Sequence, residues 1–177
     1  MSSPIVLILG AGARVGASVA AKFASKNYKV AVAARKGTDS QTLEGYLSLK
    51  ADFTEPSTIP ALFEKVKSEL GVPNVVVYNA AALTQPPDES SVLSIPSESV
   101  LADFNVNTLS AYVAAQEAVK GWSTLTENSK TLFIYTGNGL NTIVAPVPVF
   151  MNLGMGKSAS AHFIGLADLT CKTKGYR

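Results

Sequence analysis

Five aliphatic residues in a row, Ile5-Val6-Leu7-Ile8-Leu9, stop abruptly on Gly10-Ala11-Gly12-Ala13-Arg14-Val15-Gly16. A run with no polar alternation cannot turn one side to water, so it reads as a strand covered on both faces. The period then changes. Val15, Val19, Ala20 and Phe23 recur at helical spacing, and Asn27 closes the segment. A buried strand, a glycine turn and a helix, in that order, constrain the fold more than any other stretch of the chain.

The same alternation continues. Tyr28–Ala34 reads as a second strand and Tyr46–Leu49 as a third, weaker one. Pro56–Leu70 places Ile59, Leu62, Phe63 and Val66 on one helical face, with Gly71 as a C-cap. Asn74–Tyr78 is a fourth strand, Ala82–Ser99 a loop rich in Pro and Ser, and Ser97–Trp122 a long helix. Thr131–Tyr135 is a fifth strand, followed by a Gly/Asn/Pro loop and a last helix over Met151–Cys171. Strands alternating with crossover helices predict an open parallel α/β sheet of about five strands with helices on both faces. No repeat or linker divides the 177 residues, so a single domain over 1–177 is expected.

Composition excludes several kinds of chemistry. One Cys rules out an intrachain disulfide framework, and one His rules out two-histidine metal sites. Residues 1–88 carry nine Lys/Arg against seven Asp/Glu, and residues 89–177 carry six of each, so neither half resembles a nucleic-acid arm. Ile5–Leu9 is too short for a membrane span and lacks the basic start of a signal peptide. A soluble, cytoplasmic protein is the expectation, with neither nucleic acid nor membrane as partner.

Glycines between a strand and a helix N-terminus suit a phosphate. They permit φ > 0 and close backbone approach, and the free N–H groups favour negative charge. The spacing is not G-x-G-x-x-G, because Val15 holds the third glycine's place and Gly16 lies one further on. Arg35 follows the second strand, where an acidic residue suits a ribose 2′-hydroxyl and an arginine suits a 2′-phosphate. With Arg14 in the turn and Lys36 beside it, this favours NADP(H) over NAD(H).

The ordered set Gly10-x5-Gly16, Asp52, Asn79-Ala80-Ala81, Asn107 and Lys157 resembles the short-chain dehydrogenase/reductase family over essentially the whole chain. The resemblance implies a Rossmann-like, doubly wound NAD(P)-binding domain and oxidoreductase activity on a carbonyl/alcohol pair. It implies that Asp52, with the backbone of Phe53, meets the adenine. Gly10, Arg14, Val15, Gly16, Arg35, Asn79, Ala80 and Ala81 would line the cofactor. Asn107 would hold a water of a proton relay, and Lys157 would bind the nicotinamide ribose. Pairing of the last two helices across a homo-oligomer, dimer or tetramer, is also implied.

The chain departs from that pattern in three places. Arg14 replaces the middle glycine of the turn. Leu153 stands four residues before Lys157, where the family has its catalytic tyrosine, and leucine has no proton to give. The catalytic serine position falls in Thr136-Gly137-Asn138, where Thr136 offers a hydroxyl and Asn138 an amide to polarise a carbonyl. Losing a positioned general acid typically removes on the order of 10²–10⁴ in rate. Two readings follow: an NADP(H)-dependent oxidoreductase of atypical activity on a small molecule, or a non-catalytic NADP(H)-binding sensor or interaction protein. A scaffold without an intact cofactor site is a third.

Other residues have plainer expectations. Tyr78 and Tyr135 read as core residues, His162 as packing or surface, and Cys171 as unreactive. Gly154-Met155-Gly156-Lys157-Ser158 ends like a nucleotide-binding P-loop but lacks the first glycine and the strand before it. Measured against the family the chain is also short. It reaches Arg177 about where a sixth strand would begin, which would leave the fifth strand at a sheet edge.

Overall fold

The computed structural model describes residues 3–126 and 129–177. Six strands form one sheet: β1 (Ile5–Leu9), β2 (Lys29–Ala34), β3 (Ser40–Gln41), β4 (Leu47–Lys50), β5 (Val75–Tyr78) and β6 (Leu132–Tyr135). Their order is β3-β4-β2-β1-β5-β6, so the chain winds outward from β1 first one way and then the other. All pairings are parallel except β3 with β4. The sequence reading gave about five strands. The extra one is a two-residue hairpin arm on polar residues, where no apolar run could mark it.

The helices are α1 (Val15–Ala24), α2 (Ile59–Glu69), α3 (Ser97–Phe104), α4 (Ser110–Trp122) and α5 (Met151–Cys171). The pleat divides the core. Leu7, Leu9, Val76 and Tyr78 face α2 and α4, while Val6, Ile8, Val75 and Val77 share a smaller cluster with Ala20 of α1. Burying each such side chain contributes about 1.5–3 kcal/mol, which is why β1 carries no polar residue.

The single helix expected over Ser97–Trp122 is interrupted. Residues Asn105–Leu109 form a π-turn between α3 and α4. A π-turn inserts a residue into the i→i−4 ladder and displaces carbonyls from it, and hydroxyl groups meet two of them here. Tyr78 Oη donates to Val106 O at 2.6 Å, and Tyr135 Oη donates to Asn107 O at 2.8 Å. At the outer edge of β6, Phe133 N donates to Arg177 O at 2.7 Å and Thr131 bridges Tyr176 in parallel. Among the described residues no helix is long and apolar enough to cross a membrane.

Candidate functional site

The glycine turn is pinned at the C-terminal edge of the sheet. Gly10 has φ +93°, and a Cβ there would overlap the backbone of Ala80. Gly10 N and Ala11 N both donate to Ala33 O, tying the turn to β2. Asn79 Nδ2 donates to Gly10 O at 2.8 Å and ties it to β5. Gly16 packs on Ala11 with no room for a side chain, whereas Gly12 faces open space. Arg14 takes the N-cap position of α1 at φ −101°, so its departure from glycine causes no left-handed strain. No side chain caps α1. Ala17 N donates back to Gly12 O at 3.0 Å, and Val15 at the first position of the helix is exposed, which leaves an open helix start of the kind an anion favours.

Arg35 and Asp52 are exposed neighbours beyond β2 and β4. Hydrogen bonds from the Thr54 backbone and hydroxyl, with the nearby Arg35 charge, hold the Asp52 carboxyl below the usual carboxylate range. Phe53 is buried, and its carbonyl accepts from Ser110 Oγ at 2.7 Å. Ala80 is buried beneath the glycine turn, and Ala81 is exposed.

The other half of the site lies beyond β5 and β6. Thr136 Oγ1 donates to Asn79 Oδ1 at 3.1 Å and to Tyr78 O at 3.3 Å. Lys157 Nζ donates to Thr136 O at 2.8 Å and sits 4.4 Å from the centre of the Tyr135 ring. A continuous line of contacts thus runs from α5 through Thr136 and Asn79 to the carbonyl of Gly10, across the ends of three strands. Lys157 is buried at 4% exposure, and burial holds its ammonium below the usual lysine range. Leu153, one helical turn earlier, is half-buried and offers no polar atom.

Asn107 is fully buried in the π-turn. Its side chain clamps the loop after β5, accepting from Ala82 N at 2.9 Å and donating to Ala82 O at 2.8 Å. Its carbonyl accepts from Tyr135 Oη and from Ser160 Oγ, both at 2.8 Å. Two hydroxyls of the chain itself thus meet the backbone carbonyl of the residue that the family resemblance gives a relay water. Tyr135 is therefore more than a core residue, and Ser160 escaped the sequence reading altogether. The signal for it was the small pair Gly156 and Ser160, one turn apart on the face of α5 that meets the π-turn.

Several expectations resolve locally. Asn138 Oδ1 accepts from Leu140 N and caps a short turn, which fixes the side chain there by its oxygen. Tyr78 is fully buried, His162 is exposed, and Cys171 is half-buried near the end of α5. Gly154–Ser158 lies inside α5, not in a loop before a helix, so no phosphate cradle forms. A separate cleft of about 630 Å³ is apolar and lined by residues such as Leu140, Val144, Phe150 and Met155. It excludes Gly10, Thr136 and Lys157. Among the described residues no group of three His, Cys, Asp or Glu could hold a metal ion.

Comparison with known proteins identifies the family. The family model for short chain dehydrogenase matches residues 4–164. A short chain dehydrogenase/reductase of Cryptosporiopsis sp. (strain 8999) is 37% identical, covering 100% of this chain and 75% of that protein. Among solved structures, a short-chain type dehydrogenase/reductase from Mycobacterium marinum superimposes with a TM-score of 0.84 at 23% identity. It covers 99% of this chain and 70% of that one. A short chain dehydrogenase from Leptospira borgpetersenii with bound NAD+ gives 0.79 at 16% identity, covering 100% and 69%. By sequence and by fold, the chain belongs to the short chain dehydrogenase family.

Proposed function

We propose that this chain binds a nicotinamide dinucleotide, NADP(H) in preference to NAD(H), and acts as an oxidoreductase on a carbonyl/alcohol pair. The observation that carries this reading is the line of contacts joining Lys157, Thr136, Asn79 and Gly10 along the C-terminal edge of the sheet. The residues fit such a cofactor. The uncapped start of α1 meets a pyrophosphate, the open space over Gly12 allows close approach, and Arg35 beside Asp52 supplies charge for a 2′-phosphate. Gly10, Arg14, Val15, Gly16, Asp52, Phe53, Asn79, Ala80 and Ala81 form the binding edge on this reading.

Hydride transfer is the chemistry a bound nicotinamide supplies. The chain's own residues bind and orient. Lys157 places a cation at the ribose, Thr136 turns its hydroxyl from Asn79 Oδ1 toward the reacting oxygen, and Asn107 holds the loop after β5 in place. Residues 1–177 act as one NAD(P)-binding domain in this proposal. On this reading the protein works in the cytoplasm, and exposed Tyr112, Leu166 and Leu169 on α4 and α5 suit the pairing surface of a homo-oligomer.

A second reading is favoured by Leu153 and by the occupied Asn107 carbonyl: the same cofactor is bound without efficient turnover, as in a sensor. Fluorescence titration with NADPH, NADP+, NADH and NAD+ tests the shared core of both. Saturable binding with the phosphorylated pair preferred is expected, and no binding at millimolar cofactor would sink both readings. NADPH oxidation across a carbonyl panel, lost in Lys157→Ala, selects the enzyme over the sensor.

A further inference from the structure

Tyr135 stands where β6, α5 and the π-turn meet. Its ring lies parallel to the buried Tyr78 ring, with centroids 5.9 Å apart and planes 9° from each other. The Lys157 ammonium sits over the same Tyr135 ring. Among the described residues no carboxylate lies within ion-pair reach of that ammonium. A buried cation without a counter-charge needs other partners, and an aromatic face is one of few available. The second is the Thr136 carbonyl at 2.8 Å.

The Tyr135 hydroxyl has a separate role. A carbonyl oxygen has two lone pairs, and at Asn107 hydroxyls of Tyr135 and Ser160 take both. No acceptor position is left there for a solvent molecule. Gly156 reinforces this closure, because α5 packs against Asn107 too closely for a Cβ. The ring and the hydroxyl of one residue thus fix Lys157 and close the Asn107 carbonyl together.

We propose that Tyr135 is the positioning residue of Lys157, its ring holding the ammonium at the sheet edge and its hydroxyl tying that ring to the Asn107 carbonyl. Lys157 then works as a fixed cation toward the ligand. The ligand half of this inference rests on the cofactor reading above; the contact between ring and ammonium does not.

The test separates ring from hydroxyl in the full chain. Carbon-13 spectra give the Lys157 ε-methylene, assigned by its loss in Lys157→Arg. Its protons are expected upfield of other lysines in the wild type and in Tyr135→Phe, and at the ordinary position in Tyr135→Leu. NADPH affinity should stay within about twofold in Tyr135→Phe and fall roughly 3- to 30-fold in Tyr135→Leu. An ordinary ε-methylene shift in the wild type overturns the proposal. So does a Tyr135→Phe variant that loses as much affinity as Tyr135→Leu. Should Tyr135→Leu not fold, the wild-type and Tyr135→Phe measurements decide alone. Absence of NADPH binding in every protein refutes the cofactor reading, while the ring-current shift still reports on Tyr135.

Discussion

Gly156 and Asn107 touch so closely that a methyl group on the first would overlap the Cβ of the second. This contact seats α5 on the π-turn and so sets the height of Lys157 over the sheet edge. Thr108 Oγ1, donating to Gly156 O at 3.1 Å, locks the same seam.

Gly156→Ala should therefore cost roughly 1–3 kcal/mol through overpacking, despite alanine's better helix propensity. Gly154→Ala, two residues earlier on a side with open space, should stabilise by about 0.5–1 kcal/mol. Urea denaturation of both variants measures the contrast. Equal effects would show that the seam does not constrain α5.

The buried ammonium makes stability depend on pH with a definite sign. Burial holds Lys157 below the ordinary 10.5, so the folded chain loses this proton before the unfolded chain does. Below the lowered value both states carry the proton and the burial penalty is fully present. As pH rises through the lowered value toward 10.5, the unfolded state binds more protons, and stability rises. Tyr78 and Tyr135 act oppositely. Burial raises both phenols above 10.0, so they lower stability as pH climbs past that value. The Tyr78 term cancels in the difference between wild type and Lys157→Met, whereas Tyr135, in contact with the ammonium, is compared below 10.0 where its phenol stays protonated in both states. That difference should grow as pH rises through the lowered value toward 10.0, as measured by denaturation at a series of pH values.

Cofactor choice is expected to depend on Arg35. Replacing it by Glu removes a charge-assisted contact to a 2′-phosphate and adds repulsion. NADPH should bind roughly 10- to 100-fold more weakly, with NADH affinity unchanged or improved. Titration of both cofactors against both proteins reads this directly. An equal loss for the two would mean that Arg35 does not read the phosphate.

Leu153→Tyr restores a phenol one helical turn ahead of Lys157, on the same side of α5. On the oxidoreductase reading, kcat/KM for NADPH-dependent carbonyl reduction should rise on the order of 10²–10⁴. A variant that binds NADPH as before but gains nothing supports the sensor reading.

Much of this was legible in the sequence because periodicity reports burial locally. The β1 run, the helical faces of α1 and α2, and the glycine turn each follow from a few neighbouring residues and one physical rule. They were enough to find β1, β2, β4, β5 and β6 along the chain, to place Gly10, Arg35 and Asn79 just beyond strand ends, and to place Lys157 in the last helix. The two-residue β3 lay below that signal, since Ser40 and Gln41 bury nothing. The π-turn did as well, because Asn105–Leu109 has no residue type that forbids an α-helix. Its cause lies elsewhere in the chain, in hydroxyls of Tyr78, Tyr135 and Ser160 that accommodate the displaced carbonyls. The fates of Tyr135 and Asn107 were likewise decided by contacts 28 and 53 residues apart. By itself the sequence determined which segments are strands and helices, and which chemistry their ends carry. Only the packing of α5 on the π-turn decided which polar atoms remain free for a ligand, because hydrogen-bond acceptors are used up by whichever donors the tertiary fold brings to them.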